Sequence, residues 1–152
     1  MTTSMTMRPE TSSKAEPHAR AHATLILTGE NVEPEFWTKY FGVTPSSVRT
    51  RGQTYSFPSG KLSTRPARSG LWTFGSKAAV RSDRLKPHLD YVISTLALPR
   101  ADLRGLLEAQ DATVALWCYW LNDSGDRVPD LPADIRAMME AMGGTVEIDE
   151  YR

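Results

Sequence analysis

The sequence predicts an α+β fold: one domain, with a mixed or antiparallel sheet of about five strands and two to four helices packed on it. Three observations lead there. Short stretches with two-residue alternation are interleaved with stretches of helical apolar periodicity. The chain has 152 residues, room for one core. Its single cysteine, Cys118, excludes an internal disulfide framework and any zinc site built on several thiolates, so packing alone must hold the fold.

Residues 1–22 contain Thr, Ser, Met, Pro and charged side chains but no Leu, Ile, Val or aromatic ring. Such a segment cannot bury enough apolar area to offset its ordering entropy, and it is expected to be a disordered tail ahead of a domain spanning 23–152. No apolar run follows its basic residues, so it does not read as a secretory signal, and Met5 and Met7 are alternative starts.

The first strand is expected over Ala23–Thr28, ended by Gly29. A helix opens at Glu33-Pro34-Glu35, where proline lacks only an N–H that would be unsatisfied anyway and the carboxylates meet the positive dipole end. Phe36, Trp37, Tyr40 and Phe41 then form one aromatic face, and Gly42 stops the helix. Rings at this spacing are core residues by default. Two weaker strands are expected near Val48–Phe57 and Leu71–Phe74, flanking the solvated basic stretch Arg65–Arg68. The next helix starts near Arg84 with Leu85, Leu89, Val92, Ile93 and Leu96 on one face, and Pro99 ends it; Ala101–Gln110 forms a shorter one.

The strongest strand is Ala112–Leu121. Val114, Leu116, Cys118 and Trp120 share one face, while Ala115, Trp117, Tyr119 and Leu121 share the other. A strand apolar on both sides is covered twice or has one side at an interface. Pro132 opens a last helix on Ile135, Met138, Met139 and Met142, and Thr145–Asp149 alternates as the final strand.

Eighteen basic residues balance eighteen acidic ones, so bulk charge announces neither a nucleic-acid nor a lipid partner, and no apolar run is long enough to span a bilayer. The neutrality hides a segregation. Residues 46–88 carry nine basic residues against Asp83 alone, and residues 101–152 carry eleven acids against four bases. The simplest account is mutual neutralisation across the sheet. The alternative is a binding face, and Tyr55, Phe57, Trp72 and Phe74 within the basic segment supply rings for nucleic-acid stacking.

No catalytic motif survives inspection. Ser59-Gly60-Lys61 resembles the end of a phosphate-binding loop, but Leu62 follows the lysine and Tyr55 takes the upstream glycine position. With His18 and His22 placed in the tail, His88 is the lone histidine of the body and is expected to be a partly exposed helix residue. Cys118 lies among core positions and reads as an inert thiol. Asp123, Asp126 and Asp130 lack an EF-hand register and read as turn chemistry. Glu147, Asp149 and Tyr151 share one face of the last strand, facing solvent or paired with Arg49 and Arg51 if the basic strand is its neighbour. No metal or cofactor is expected.

Phe41-Gly-Val-Thr-Pro45 after the aromatic helix, Arg51-Gly52, Ser69-Gly-Leu-Trp72, His88-Leu-Asp-Tyr-Val-Ile93 and the terminal Asp149-Glu-Tyr151 together resemble the bacterial domain of unknown function numbered 4279, over roughly residues 23–152. The resemblance implies a small, stand-alone cytoplasmic bacterial protein and brings no mechanism. Arg51, Trp72 and Asp149 fall in the matching motifs and are candidate site residues, combining a cation, a flat ring and a carboxylate. Trp117 and Tyr119 join them as candidate binding residues on the second face of the strongest strand.

The expected function is therefore a non-catalytic protein-interaction module, of the kind that includes immunity and accessory proteins, with a protein partner or a second copy bound through aromatic anchors. A nucleic-acid binder using the basic 46–88 segment is the alternative, and an enzyme has the least support.

Overall fold

The computed structural model describes residues 20–57 and 59–152, so most of the expected tail lies outside the described residues. The elements run β1 (Ala21–Gly29), α1 (Pro34–Phe41), β2 (Ser47–Arg49), β3 (Gly70–Gly75), α2 (Leu85–Thr95), α3 (Leu103–Gln110), β4 (Thr113–Leu121), α4 (Ala133–Ala141) and β5 (Thr145–Tyr151). They build one five-stranded mixed sheet in the order β2-β3-β1-β4-β5, antiparallel throughout except for the parallel β4–β5 pair. A parallel neighbour needs a crossover, and α4 supplies it.

Among the strand boundaries that differ from expectation, two shape the sheet face. β1 starts at Ala21 rather than Ala23, because Ala21 pairs with Trp120, His22 pairs with Tyr119, and the Leu121 N–H donates to the Arg20 carbonyl at 2.8 Å. Alanines at the buried positions continue the alternation without a large apolar side chain, which concealed it. β2 ends at Arg49 instead of running to Phe57. Beyond it the chain turns at Gly52, whose φ of +83° favours glycine, and forms an irregular side hairpin of its own. Tyr55 and Phe57 therefore alternate in that hairpin and not in the sheet.

All four helices share a single core with one face of the sheet. Ala21, Ala23, Leu25 and Leu27 of β1, Trp72 and Phe74 of β3, and Val114, Leu116, Cys118 and Trp120 of β4 are buried beneath Trp37 and Phe41 of α1, Leu85, Leu89 and Val92 of α2, Leu103 and Leu107 of α3, and Ile135 and Met139 of α4. At roughly 25 cal/mol per Å² of apolar area removed from water, this layer dominates the favourable side of folding. The aromatic helix is mostly a core element, as expected, with Phe36 left at 38% exposure on its flank. Gly42 closes α1 in the left-handed region, its N–H donating to the Thr38 carbonyl at 2.9 Å.

One end of α2 shows what spacing could not. Its first turn begins at Leu85, and the Asp130 carboxylate, from the segment before α4, accepts the backbone N–H groups of Leu85 at 2.7 Å and Lys86 at 2.9 Å. A carboxylate at the positive end of a helix satisfies donors that no intrahelical carbonyl can reach. Asp130 was expected to be turn chemistry; it is a cap supplied from far along the chain.

The charge segregation is not resolved by pairing across the sheet. β2 and β5 are opposite edges, and β1 with its neighbours separates the basic strands from the acidic ones. The alternative of Glu147 and Asp149 pairing with Arg49 and Arg51, conditional on the basic strand being the neighbour of β5, is thus excluded. The ion pair between the two segments, Arg127–Asp83 at 3.6 Å, joins a base of the acidic segment to the lone acid of the basic one.

Candidate functional site: the helix-free face of the sheet

Strand alternation puts every second residue on the face opposite the helices. Register lines them up in rows. Gly75, Thr24, Trp117 and Glu147 form one row, and His22, Tyr119 and Asp149 another; Leu121 stands beside Tyr151, while Arg49, Leu71, Thr28 and Thr113 form the row at the far end. No helix of the described residues covers this face. Trp117 is 40% exposed and Tyr151 49%, whereas their buried neighbours Leu116 and Cys118 are fully enclosed.

The rings on this face hold one another. His22 stacks on Tyr119 with centroids 4.7 Å apart and planes 4° from parallel, and Tyr119 meets Tyr151 at 5.1 Å. A hydrogen bond to Asp149, reinforced by its charge, raises the Tyr151 phenol above its ordinary value, so it stays a neutral donor across physiological pH. The result is a rigid aromatic strip with an acidic margin at Glu147 and Asp149. Rings with few rotatable bonds lose little entropy when a partner covers them.

The other end of the same face is basic. Residues 50–69 curl beside it and, with Thr28, Arg49 and Leu71, enclose a cleft of about 390 Å³ that adjoins a second concavity of about 690 Å³. The Arg49 guanidinium lies 4.0 Å above the Tyr55 ring, a cation–π contact.

The candidates read from motifs do not converge. Arg51 is exposed near the β2 edge, with Glu30 at 3.8 Å. Trp72 is fully buried, its indole N–H donating to Thr38 Oγ1 at 3.0 Å. Asp149 lies on β5, at the opposite edge of the sheet. Trp117 and Tyr119, by contrast, sit two residues apart on the open face. Of the four rings assigned to the basic segment, Trp72 and Phe74 are in the core, leaving Tyr55 and Phe57 toward the surface.

Neither lone reactive group is poised for chemistry. Burial pushes the Cys118 thiol up to about 12, with Arg136 pulling weakly the other way. His88, expected to be partly exposed, is fully buried. Its Nε2 lies 2.8 Å from the Ser82 carbonyl, which can only accept, so in the neutral ring Nε2 donates and Nδ1 accepts the Ser76 hydroxyl at 2.6 Å. Ser76 Oγ in turn accepts the Ala23 N–H at 3.0 Å. The histidine ties α2 to β1. Ser59-Gly60-Lys61 forms the tip of the side hairpin, with the Gly60 N–H donating to the Phe57 carbonyl at 2.8 Å, and precedes no helix. Among the described residues, no group of three or more His, Cys, Asp or Glu side chains could hold a metal ion, and no helix is long and apolar enough to cross a membrane.

Sequence reasoning missed His22, which was assigned to the tail although the small–polar alternation runs back through it. It also missed the arginine cleft, since loop closure brings those residues together and periodicity carries no signal of that. The curated proteins and the solved structures contain no match to this chain. A family model described as a domain of unknown function (DUF4279) matches residues 19–152, nearly the whole chain and in agreement with the motif resemblance, and the protein belongs to that family.

Proposed function

We propose that this domain is a non-catalytic protein-interaction module that docks a partner on the helix-free face of its sheet, with Trp117 and Tyr119 as anchors. The observation that carries this reading is the 40% exposure of Trp117 at one end of an aromatic strip that no helix of the described residues covers. Large aromatic side chains on a rigid strand are the residue type that dominates interface energies, and contiguous exposed apolar surface on a folded domain marks contact sites.

The strip suits a partner with an apolar centre flanked by basic groups that meet Glu147 and Asp149. A second copy of this chain has both on the same face, because a two-fold axis parallel to β1 lays the basic β2 end of one sheet over the acidic β5 end of the other. An immunity or accessory protein with a dedicated partner is the alternative occupant class for this reading.

Light scattering across a concentration series, combined with co-purification from the native host, tests the proposal. Self-association or a stoichiometric partner is expected for the wild type and is lost in Trp117→Asp, a substitution at a position the core does not use. A wild-type monomer that recovers no stoichiometric partner contradicts it.

A further inference from the structure

The geometry points to a second site, at the basic end of the same sheet face: the cleft framed by Arg49, Arg65 and Arg68 binds a small ligand carrying phosphoryl groups. The cleft lies where residues 50–69 fold over the β2 end of the sheet. Loops of this length without regular structure are uncommon in compact domains unless they serve a function.

This loop is tied down. Gly52 N–H donates to the Ala67 carbonyl at 2.9 Å and Ala67 N–H to the Gln53 carbonyl at 2.9 Å, while the Ser63 N–H reaches the Tyr55 carbonyl at 2.7 Å. The Ser63 hydroxyl accepts the Tyr55 N–H at 3.0 Å and donates to the Arg65 carbonyl at 2.9 Å. Backbone satisfied in this way holds Arg65 and Arg68 beside Arg49, which is itself held by its cation–π contact with Tyr55.

The charge in the cleft is uncompensated. Three arginines line it and no carboxylate does, and among the described residues none of the three has an ion pair. The ion pair of Arg51 with Glu30 lies outside the lining. Like charges gathered in a concavity repel one another and focus a positive potential that an anion relieves. Guanidinium forks match phosphate oxygens in bidentate geometry. A cleft of about 390 Å³ suits a small molecule, and Thr28 and Ser69 add hydroxyl groups for its remaining oxygens.

Calorimetric titration of the full chain with pyrophosphate at low ionic strength tests the site. Saturable one-site binding is expected, weakened about tenfold or more in the double variant Arg65→Ala/Arg68→Ala, as loss of charge-assisted contacts requires. Both arginines are exposed, so the melting temperature of that variant stays at the wild-type value. Lys77→Ala, which removes an exposed charge outside the cleft, leaves binding unchanged. Absence of saturable binding overturns the inference, as does equal binding by the double variant or equal weakening by Lys77→Ala. A short single-stranded oligonucleotide that binds through these arginines while pyrophosphate does not overturns it too, and moves the site to nucleic acid.

Discussion

Replacing His88 with alanine tests whether the one histidine of the helical layer is structural. The ring is fully buried and joins the Ser82 carbonyl at 2.8 Å to the Ser76 hydroxyl at 2.6 Å, which in turn holds the Ala23 N–H. His88→Ala leaves the Ser82 carbonyl and the Ser76 hydroxyl without the ring and opens a cavity between α2 and β1. A buried polar group deprived of its partner costs roughly 1–3 kcal/mol, and large-to-small replacement in a core adds a comparable amount. The expected loss is about 3 kcal/mol, which for a domain of this size lowers the melting temperature by about 6–12 °C. Urea unfolding followed by circular dichroism reads it as a lower midpoint at unchanged slope. His88→Leu refills the space without the hydrogen bonds and is expected to recover about half of the loss. A His88→Ala protein within about 0.5 kcal/mol of wild type, the scatter of neutral surface changes, refutes the reasoning.

Two further substitution and reactivity experiments probe the same layer. Asp130→Ala removes the carboxylate that accepts the Leu85 and Lys86 N–H groups, and is expected to cost about 1–2 kcal/mol by urea unfolding; Asp130→Asn, which keeps one acceptor oxygen, costs less. Cys118 is expected to resist iodoacetamide at pH 8 while the protein is folded and to react fully in denaturant, and fast alkylation of the native protein contradicts its burial. The same thiol makes stability fall in alkali. Its folded pKa of about 12 lies above the ordinary value of 9.0, so between these limits the unfolded chain releases a proton that the folded one keeps. Stability is full below pH 9 and declines by up to about 1.4 kcal/mol per pH unit above it. Cys118→Ala removes that part of the decline.

The fold was largely legible because periodicity reports burial directly. Leu85, Leu89 and Val92 recur every three or four residues and are the buried face of α2, and the two-residue alternation of β4 separates Leu116 and Cys118 from Trp117 and Tyr119 as the sheet does. What escaped was decided by partners distant in sequence. β1 began early because Trp120 and Tyr119 gave Ala21 and His22 a ladder to join. β2 stopped at Arg49 because Gly52 redirects the chain, while Tyr55 and Phe57 found partners in their own hairpin. His88 has a polar side chain at a position the helical pattern places near the core, and its bonds to Ser76 and Ser82 offset the cost of burying it.

The site was legible in part. Trp117 and Tyr119 stand out because a strand apolar on both faces needs two covers, and the helices of the described residues supply one. Arg51, Trp72 and Asp149 share motif positions without sharing a place: one is at an edge loop, one in the core and one on the far strand. Shared family motifs mark positions the fold needs as readily as positions a ligand needs. The arginine cleft was visible only as a run of positive charge, since the loop that gathers it follows no repeat.

The most direct test of the docking face is hydroxyl-radical footprinting of Trp117, Tyr119 and Tyr151, comparing the isolated domain with its assembled form. The isolated domain is expected to show all three rings modified, with Trp117 protected on assembly and the buried Trp72 unmodified in both. Trp117 modified equally in the two states, or already protected in the isolated monomer, contradicts the account.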